Sequence, residues 1–167
     1  MSEDSQITDS TEKIVELIGQ SGPIAMITTK AIDGTLKSRP MTLQETEFDG
    51  ELWFFADRSS EQVEEIRLDP QVNVSFGSAS TWVSLSGSAV ISDDLGRKKE
   101  LWSSAVEAWF PEGPESPDVV LLRVRGSSAE YWDSPGGRVA TLLGFAKSKV
   151  TGDRPDTGEN EKLSLKD

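Results

Sequence analysis

Apolar positions along this chain follow two periods, and the switches between them divide it into elements. From Asp9 to Gly19, Ile14, Leu17 and Ile18 share one helical face, and Asp9 with Glu12 has the spacing of a capping box. Gly22-Pro23 closes that helix. Ile24 to Lys30 then reads as a strand, Asp33-Gly34 as a two-residue hairpin turn, and Leu36 to Phe48 as the returning strand. A second Asp-Gly pair, Asp49-Gly50, leads into a strand over Glu51 to Ala56, and the three strands are expected to form an antiparallel meander.

Ser59 and Gln62 are spaced as a second capping box, opening a short helix with Val63 and Ile66 inward and Asp69-Pro70 as its stop. Strands follow at Val72 to Phe76 and Val83 to Ile91, and Gly87 inside the second marks a bulge or a close approach by another backbone or a ligand. Trp102, Ala105, Val106 and Trp109 have the spacing of a buried stripe on a helix from Asp94 to Phe110. That helix runs into Pro111, Gly113, Pro114 and Pro117, which cannot continue it, leaving a rigid aromatic corner. A last hairpin is predicted from Asp118 to Arg125 and Ser127 to Trp132 around Gly126. An amphipathic helix carrying Val139, Leu142, Leu143 and Ala146 follows. Seven short strands with few helices favour a mainly β (α+β) fold, a small antiparallel barrel with flanking helices, over a parallel sheet. No Gly-rich strand-to-helix phosphate loop is present, which excludes Rossmann and P-loop readings.

Length changes this picture little: 167 residues suit a single domain spanning 1–167, with polar tails over 1–10 and 148–167 that can stay flexible. Charge changes it more. A net charge of −12 repels nucleic-acid backbones and anionic lipid surfaces, so neither is an expected partner. The absence of cysteine and histidine removes thiolate chemistry, the commonest neutral-pH acid and base, and the usual zinc ligands. With no export-signal pattern and no run of ~20 apolar residues, a soluble cytoplasmic protein is the simplest reading.

The best candidate anion site joins two separated pieces. Arg39, beside Lys37 in the second strand, can approach Ser59 and Ser60 at the start of the following short helix, where free amides and the positive dipole end favour a phosphate. The alternative is a surface arginine next to an ordinary helix cap. Glu61, Glu64 and Glu65 lie on that same helix and weaken the cradle unless they point to solvent, which is the expected arrangement. Five tryptophans are present: Trp102 and Trp109 read as core, whereas Trp53 and Trp82 sit opposite the main apolar set, as at an interface or ring-stacking surface. Tyr131, the sole phenol, is either a proton donor or a buried side chain bonded to backbone. Asp93-Asp94 reads as a helix start and Glu112 with Glu115 as a loop face. No catalytic residue and no metal ligand is singled out.

Ser38-Arg39-Pro40-Met41, Leu52 to Asp57, Trp82 to Ala89, Leu101-Trp102, Trp109 to Pro114 and Glu130-Tyr131-Trp132-Asp133 together resemble the general stress protein 26 group of the pyridoxamine 5′-phosphate oxidase-like, FMN-binding split-barrel superfamily. The resemblance runs from about Thr11 to about Leu165. It implies a split barrel forming a homodimer, with FMN (or FAD) in a groove at each end of the interface. Arg39 and Ser60 would hold the phosphate; Met41, Thr42, Phe54, Phe55 and Ala56 would run beside the flavin, mainly through backbone. Trp82 and Trp109 would be able to reach a ring from the partner subunit. Relatives usually carry lysine where Gln62 stands, so this position donates a hydrogen bond without a charge. A chain without histidine also lacks the Arg-His pair of the true pyridoxamine phosphate oxidases, which argues against vitamin B6 oxidation. The functions implied are a flavin-dependent oxidoreductase acting on a small molecule, a stress-associated flavin-binding or buffering protein, or an apo dimeric scaffold.

Overall fold

The computed structural model describes residues 3–46, 50–133 and 159–165. Its elements are α1 (Glu3–Ser21), β1 (Ile24–Lys30), β2 (Leu36–Thr42), β3 (Glu51–Asp57), α2 (Glu61–Leu68), β4 (Gln71–Gly77), β5 (Thr81–Ser92), α3 (Leu95–Leu101), α4 (Ser104–Trp109), β6 (Val119–Asp133) and β7 (Glu159–Ser164). The strands form one antiparallel sheet in the order β2-β1-β4-β5-β6-β3, with β7 added to β6. Among the described residues the ends of this path, β2 and β3, meet through an isolated bridge between Leu43 and Phe54, so the sheet curls without closing by a full ladder. The antiparallel architecture expected from the strand pattern is present, in the split form that the family resemblance implies.

β6 organises the sheet. Its first half pairs with β3 (Glu51↔Arg125 to Asp57↔Val119) and its second with β7 (Ser128↔Ser164 to Asp133↔Glu159), while β5 runs along its other edge throughout. The predicted hairpin around Gly126 is therefore wrong: 119–133 is one strand, and Gly126 lies beside a register shift between Ser86 and Gly87 rather than in a turn. The expected meander fails for a related reason. β3 follows β2 in sequence but pairs with β6 across the sheet, and β2 ends at Thr42 rather than Phe48.

Inside the curl, Leu52, Phe54 and Ala56 of β3 and Val120, Leu122 and Val124 of β6 meet Ile14 and Leu17 of α1 and Val63 and Ile66 of α2 in the main core. The intervening positions of the same two strands, Trp53, Phe55, Val119 and Leu121, build a second core under α3 and α4. Two buried faces explain the near-continuous apolar text of Leu52 to Ala56. Trp53 is thus buried rather than presented at a surface, its ring near the guanidinium groups of Arg97 and Arg123 at 4.7 and 5.9 Å.

The helix predicted over Asp94 to Phe110 is two helices, each with its own side-chain cap: Asp94 accepts from the Arg97 amide and Ser103 from the Val106 amide. The break at Trp102-Ser103 rotates the expected stripe. Trp102 packs edge-on to Phe55 (5.4 Å, 87°) and Val106 is buried, but Ala105 and Trp109 face outward, Trp109 being 83% exposed. At the proline corner it is Phe110 that turns inward, tilted against Phe55 at 6.4 Å. Other boundaries move as well: α1 begins before Asp9, and residues 159–164 form β7. The β1–β2 connection is a longer loop over 31–35 in which Gly34 has φ +86°. The helix expected around 139–146 falls outside the described residues. No helix among the described residues is long and apolar enough to cross a membrane.

Gly87 meets the expectation of close approach. A Cβ there would stand 2.1 Å from the Arg125 carbonyl oxygen, and the obstacle is the backbone of β6 at Arg125 and Gly126. Gly87→Ala must therefore separate β5 from β6, and we expect a loss of about 3 kcal/mol in urea-induced unfolding, at the upper end of overpacking substitutions. A loss below about 0.5 kcal/mol would show that the bulge is not tight.

Candidate functional site

Pro40 places β2 at a sheet edge, where its missing amide does no harm. Alternation along β2 then points Lys37, Arg39 and Met41 toward the body of the protein and leaves Ser38, Pro40 and Thr42 exposed. The register sets Thr29 of β1 opposite Lys37 and diagonal to Arg39. α2 packs against β1, and its first turn completes the corner.

α2 begins one residue later than the capping-box spacing suggests. Asp57 accepts from both the amide and the hydroxyl of Ser59 (2.7 and 2.6 Å), and this local turn withdraws Ser59 from the helix. Ser60 becomes the N-cap, its Oγ accepting from the Val63 amide at 3.4 Å. Gln62 is consequently in the first turn and buried, 3% exposed, and its Nε2 has no hydrogen-bond partner among the described residues. A buried donor left unpaired costs about 1–3 kcal/mol. Such a group is expected to meet water or a ligand acceptor.

The glutamates of α2 do not all face solvent, contrary to expectation. Glu64 is exposed, but Glu65 is buried against β1 and β2. Arg39 Nη1 donates to Glu65 Oε2 at 2.9 Å and Nη2 to Oε1 at 3.3 Å, while the Thr29 hydroxyl donates to Oε2 at 2.6 Å. Arg39 Nη1 also donates to the Thr29 hydroxyl oxygen at 2.9 Å. Glu61, much more exposed, accepts from Lys37 Nζ at 3.0 Å and Arg39 Nη2 at 3.2 Å, and Lys37 Nζ lies 3.4 Å from Glu65 Oε1. Two cations thus face two carboxylates. The Arg39 hydrogen bond, helped by Thr29 and Lys37, outweighs burial and holds the Glu65 carboxyl down to about 2 from the usual 4.5. Glu61 is lowered chiefly by its bond to Lys37, and Lys37 and Arg39 are raised in turn, chiefly by their bonds to Glu61 and Glu65 respectively.

The remaining candidates divide into groups. Met41 is half-buried against the main core and Thr42 is exposed; both lie next to the Leu43–Phe54 bridge, so their strand does reach that of Phe54, Phe55 and Ala56 at the split. The side chains of Phe54 and Ala56 belong to the main core and that of Phe55 to the second, which leaves backbone as their means of contact. Trp82 lies on the outer face directly opposite Trp132, and with Ile24 and Met26 they line a groove of about 570 Å³. Trp109 stands apart from both, on α4. Tyr131 is buried, and its hydroxyl donates to the Glu161 carboxylate of β7 at 3.0 Å rather than to backbone. Glu65 and Trp132 were missed by sequence reasoning as working parts. The inward i+3 spacing of Glu65 from Gln62 was a usable signal for the first.

The fold, a split antiparallel sheet with flanking helices, is that of the pyridoxamine 5′-phosphate oxidase like family. Residues 9–156 match that family, and the chain belongs to it, with the general stress protein 26 group. The protein bli-3 of Neurospora crassa is 31% identical over 144 residues, covering 79% of this chain and 69% of that protein. Among solved structures, the general stress protein 26 of Bacillus anthracis str. Sterne is 26% identical with a TM-score of 0.64, covering 72% of this chain and 92% of the other. The general stress FMN/FAD binding protein of Xanthomonas citri is 27% identical with a TM-score of 0.61, covering 71% and 89%.

The Glu65 carboxyl is more acidic in the folded protein than in the unfolded chain, so its stabilising contribution is full above about pH 4.5 and is lost as the pH falls toward 2. Melting temperatures of the native protein should drop through that window, and Glu65→Gln should flatten the drop. At pH 7 the same variant should be destabilised by about 2 kcal/mol, less than for a fully buried pair because Arg39 keeps Glu61. An unchanged acid profile would show that the pair does not stabilise the fold.

Proposed function

We propose that this protein is a stress-associated flavin-binding protein that holds FMN, or FAD, at the corner formed by β2 and the start of α2. The observation that carries this reading is the buried Nε2 of Gln62, without a partner among the described residues, in the first turn of α2, two positions after the Ser60 cap and between Glu61 and Glu65, which both engage Arg39. The donor types suit a phosphate ester: the Ser60 hydroxyl, the Gln62 amide group and the backbone at the start of α2 occupy neighbouring positions, and Arg39 reaches the same helix through Glu61 and Glu65. Met41, Thr42 and the backbone of Phe54 to Ala56 would flank the remainder of the cofactor. When bound, the flavin ring supplies hydride or electron exchange, and this chain's residues bind and orient it. Family membership and the likeness to the FMN/FAD binding protein of Xanthomonas citri support the choice of ligand.

Two modes of action share that binding. Oxidoreduction of a small molecule is the first, and flavin storage without turnover the second. Storage is favoured by the lack of any histidine or cysteine and by the engagement of the one phenol with Glu161. Homodimerisation belongs to the same proposal. It is supported by Trp82, Trp132, Ile24 and Met26, which are 47, 41, 52 and 39% exposed around one groove, a patch that water alone covers poorly.

Purified protein reconstituted with FMN should be yellow after desalting, and anaerobic addition of NADH or NADPH should bleach it if the flavin turns over. Colour without bleaching selects storage. Failure to retain any flavin would end the proposal. Gln62→Lys should tighten FMN about ten-fold, the worth of one charge-assisted hydrogen bond, as read by quenching of flavin fluorescence. Light scattering should give the mass of a dimer, and Trp132→Glu should halve it; a native monomer would remove the dimer from the reading.

A further inference from the structure

We infer that Glu65 is a specificity-determining residue that cancels the charge of Arg39, so that the corner takes the flavin with little preference for its phosphate. This rests on the flavin reading above. Glu65 grips both Nη atoms of Arg39 in a fork and receives the Thr29 hydroxyl on the same oxygen that meets Nη1. Its side chain is 8% exposed, α2 packs against β1 and β5, and Glu65 is closed in by Thr29 of β1 and by Lys37 and Arg39 of β2, so it has no solvent-facing position to retreat to. Glu61 differs: its side chain is 71% exposed and swings away at little cost.

An incoming phosphate can therefore displace Glu61 but not Glu65. Lys37 and Arg39 then stand against one fixed carboxylate, leaving one positive charge for a phosphate that carries between one and two negative charges near neutrality. The other donors, Ser60 and Gln62, are neutral, and the chain as a whole carries −12. Hydrogen bonds remain available to the ester, yet the electrostatic term that would separate a phosphorylated from an unphosphorylated flavin is halved inside the protein and opposed by the net charge of the chain. A flavin ring with an uncharged ribityl end satisfies the same neutral donors without facing Glu65.

The test titrates the full chain with FMN, riboflavin and inorganic phosphate, flavins by fluorescence quenching and phosphate by chemical-shift perturbation of the α2 amides. The wild-type protein should bind FMN and riboflavin within about ten-fold of each other and inorganic phosphate only weakly. Glu65→Gln should tighten FMN and phosphate about ten-fold while leaving riboflavin unchanged. Glu61→Gln, at a site too exposed to endanger folding, should give a two- to three-fold change in the same direction. A wild-type preference for FMN above about 100-fold would overturn the inference, as would equal changes for both flavins in Glu65→Gln. If neither flavin binds either protein, the flavin reading falls and the phosphate titration alone decides the role of Glu65: a gain in Glu65→Gln upholds it, and no gain removes it.

Discussion

The whole sheet depends on the contact between Gly87 and the Arg125 carbonyl. β6 is long enough to serve two neighbours on one edge, β3 beside its first half and β7 beside its second, and it changes from one to the other near Gly126. Such a change needs a local increase in twist, which a bulge provides. The bulge brings the two backbones so near that Gly87 has no room for a side chain, while a Cβ on the adjoining Gly126 would press on the side-chain ends of Leu85 and Leu165 at 3.0–3.2 Å. The curl of the sheet, and with it the meeting of β2 and β3 at the split, follows from this crossing.

The corner at α2 shows how the same geometry governs chemistry. Curling the sheet carries the β1–β2 edge under α2, where a strand arginine, a strand threonine and a helix glutamate come within hydrogen-bond reach. The result is a pair held by hydrogen bonds on both sides, in which Arg39 acts on its surroundings as a dipole more than as a cation. An arginine seen in sequence beside a helix start suggests an anion site. The same arginine with its fork filled by a buried carboxylate is first a structural clasp between sheet and helix, and its remaining capacity for an anion is set by what that carboxylate leaves over.

Much of the architecture was legible because it rests on local rules. Alternation marked β1, β4 and β5, the Asp33-Gly34 pair marked a chain reversal and Gly22-Pro23 a helix end, and Gly87 announced a close approach that has no local purpose. The misreadings share one origin. A glycine in the middle of β6 looks like a turn unless the partners on its two sides are known, and the stripe across Trp102 to Trp109 looks continuous unless the Ser103 cap is seen to restart the helix. Three strands in succession look like a meander, yet β3 finds its partner on β6, and nothing near β3 in the sequence distinguishes the two pairings.

Periodicity, turn chemistry and motif spacing act over a few residues, and they were enough for the place of most elements, the family and a list of candidate anion-binding residues. What only the tertiary structure decided was which of those residues meet. Arg39 and Glu65 lie 26 positions apart, and their contact is fixed by the register of β1 against β2 together with the rotation of α2, shifted by one residue when Asp57 claims Ser59. A rotation of that size separates a glutamate facing water from one that neutralises the site. It is settled by packing across the sheet, which no local stretch of sequence encodes.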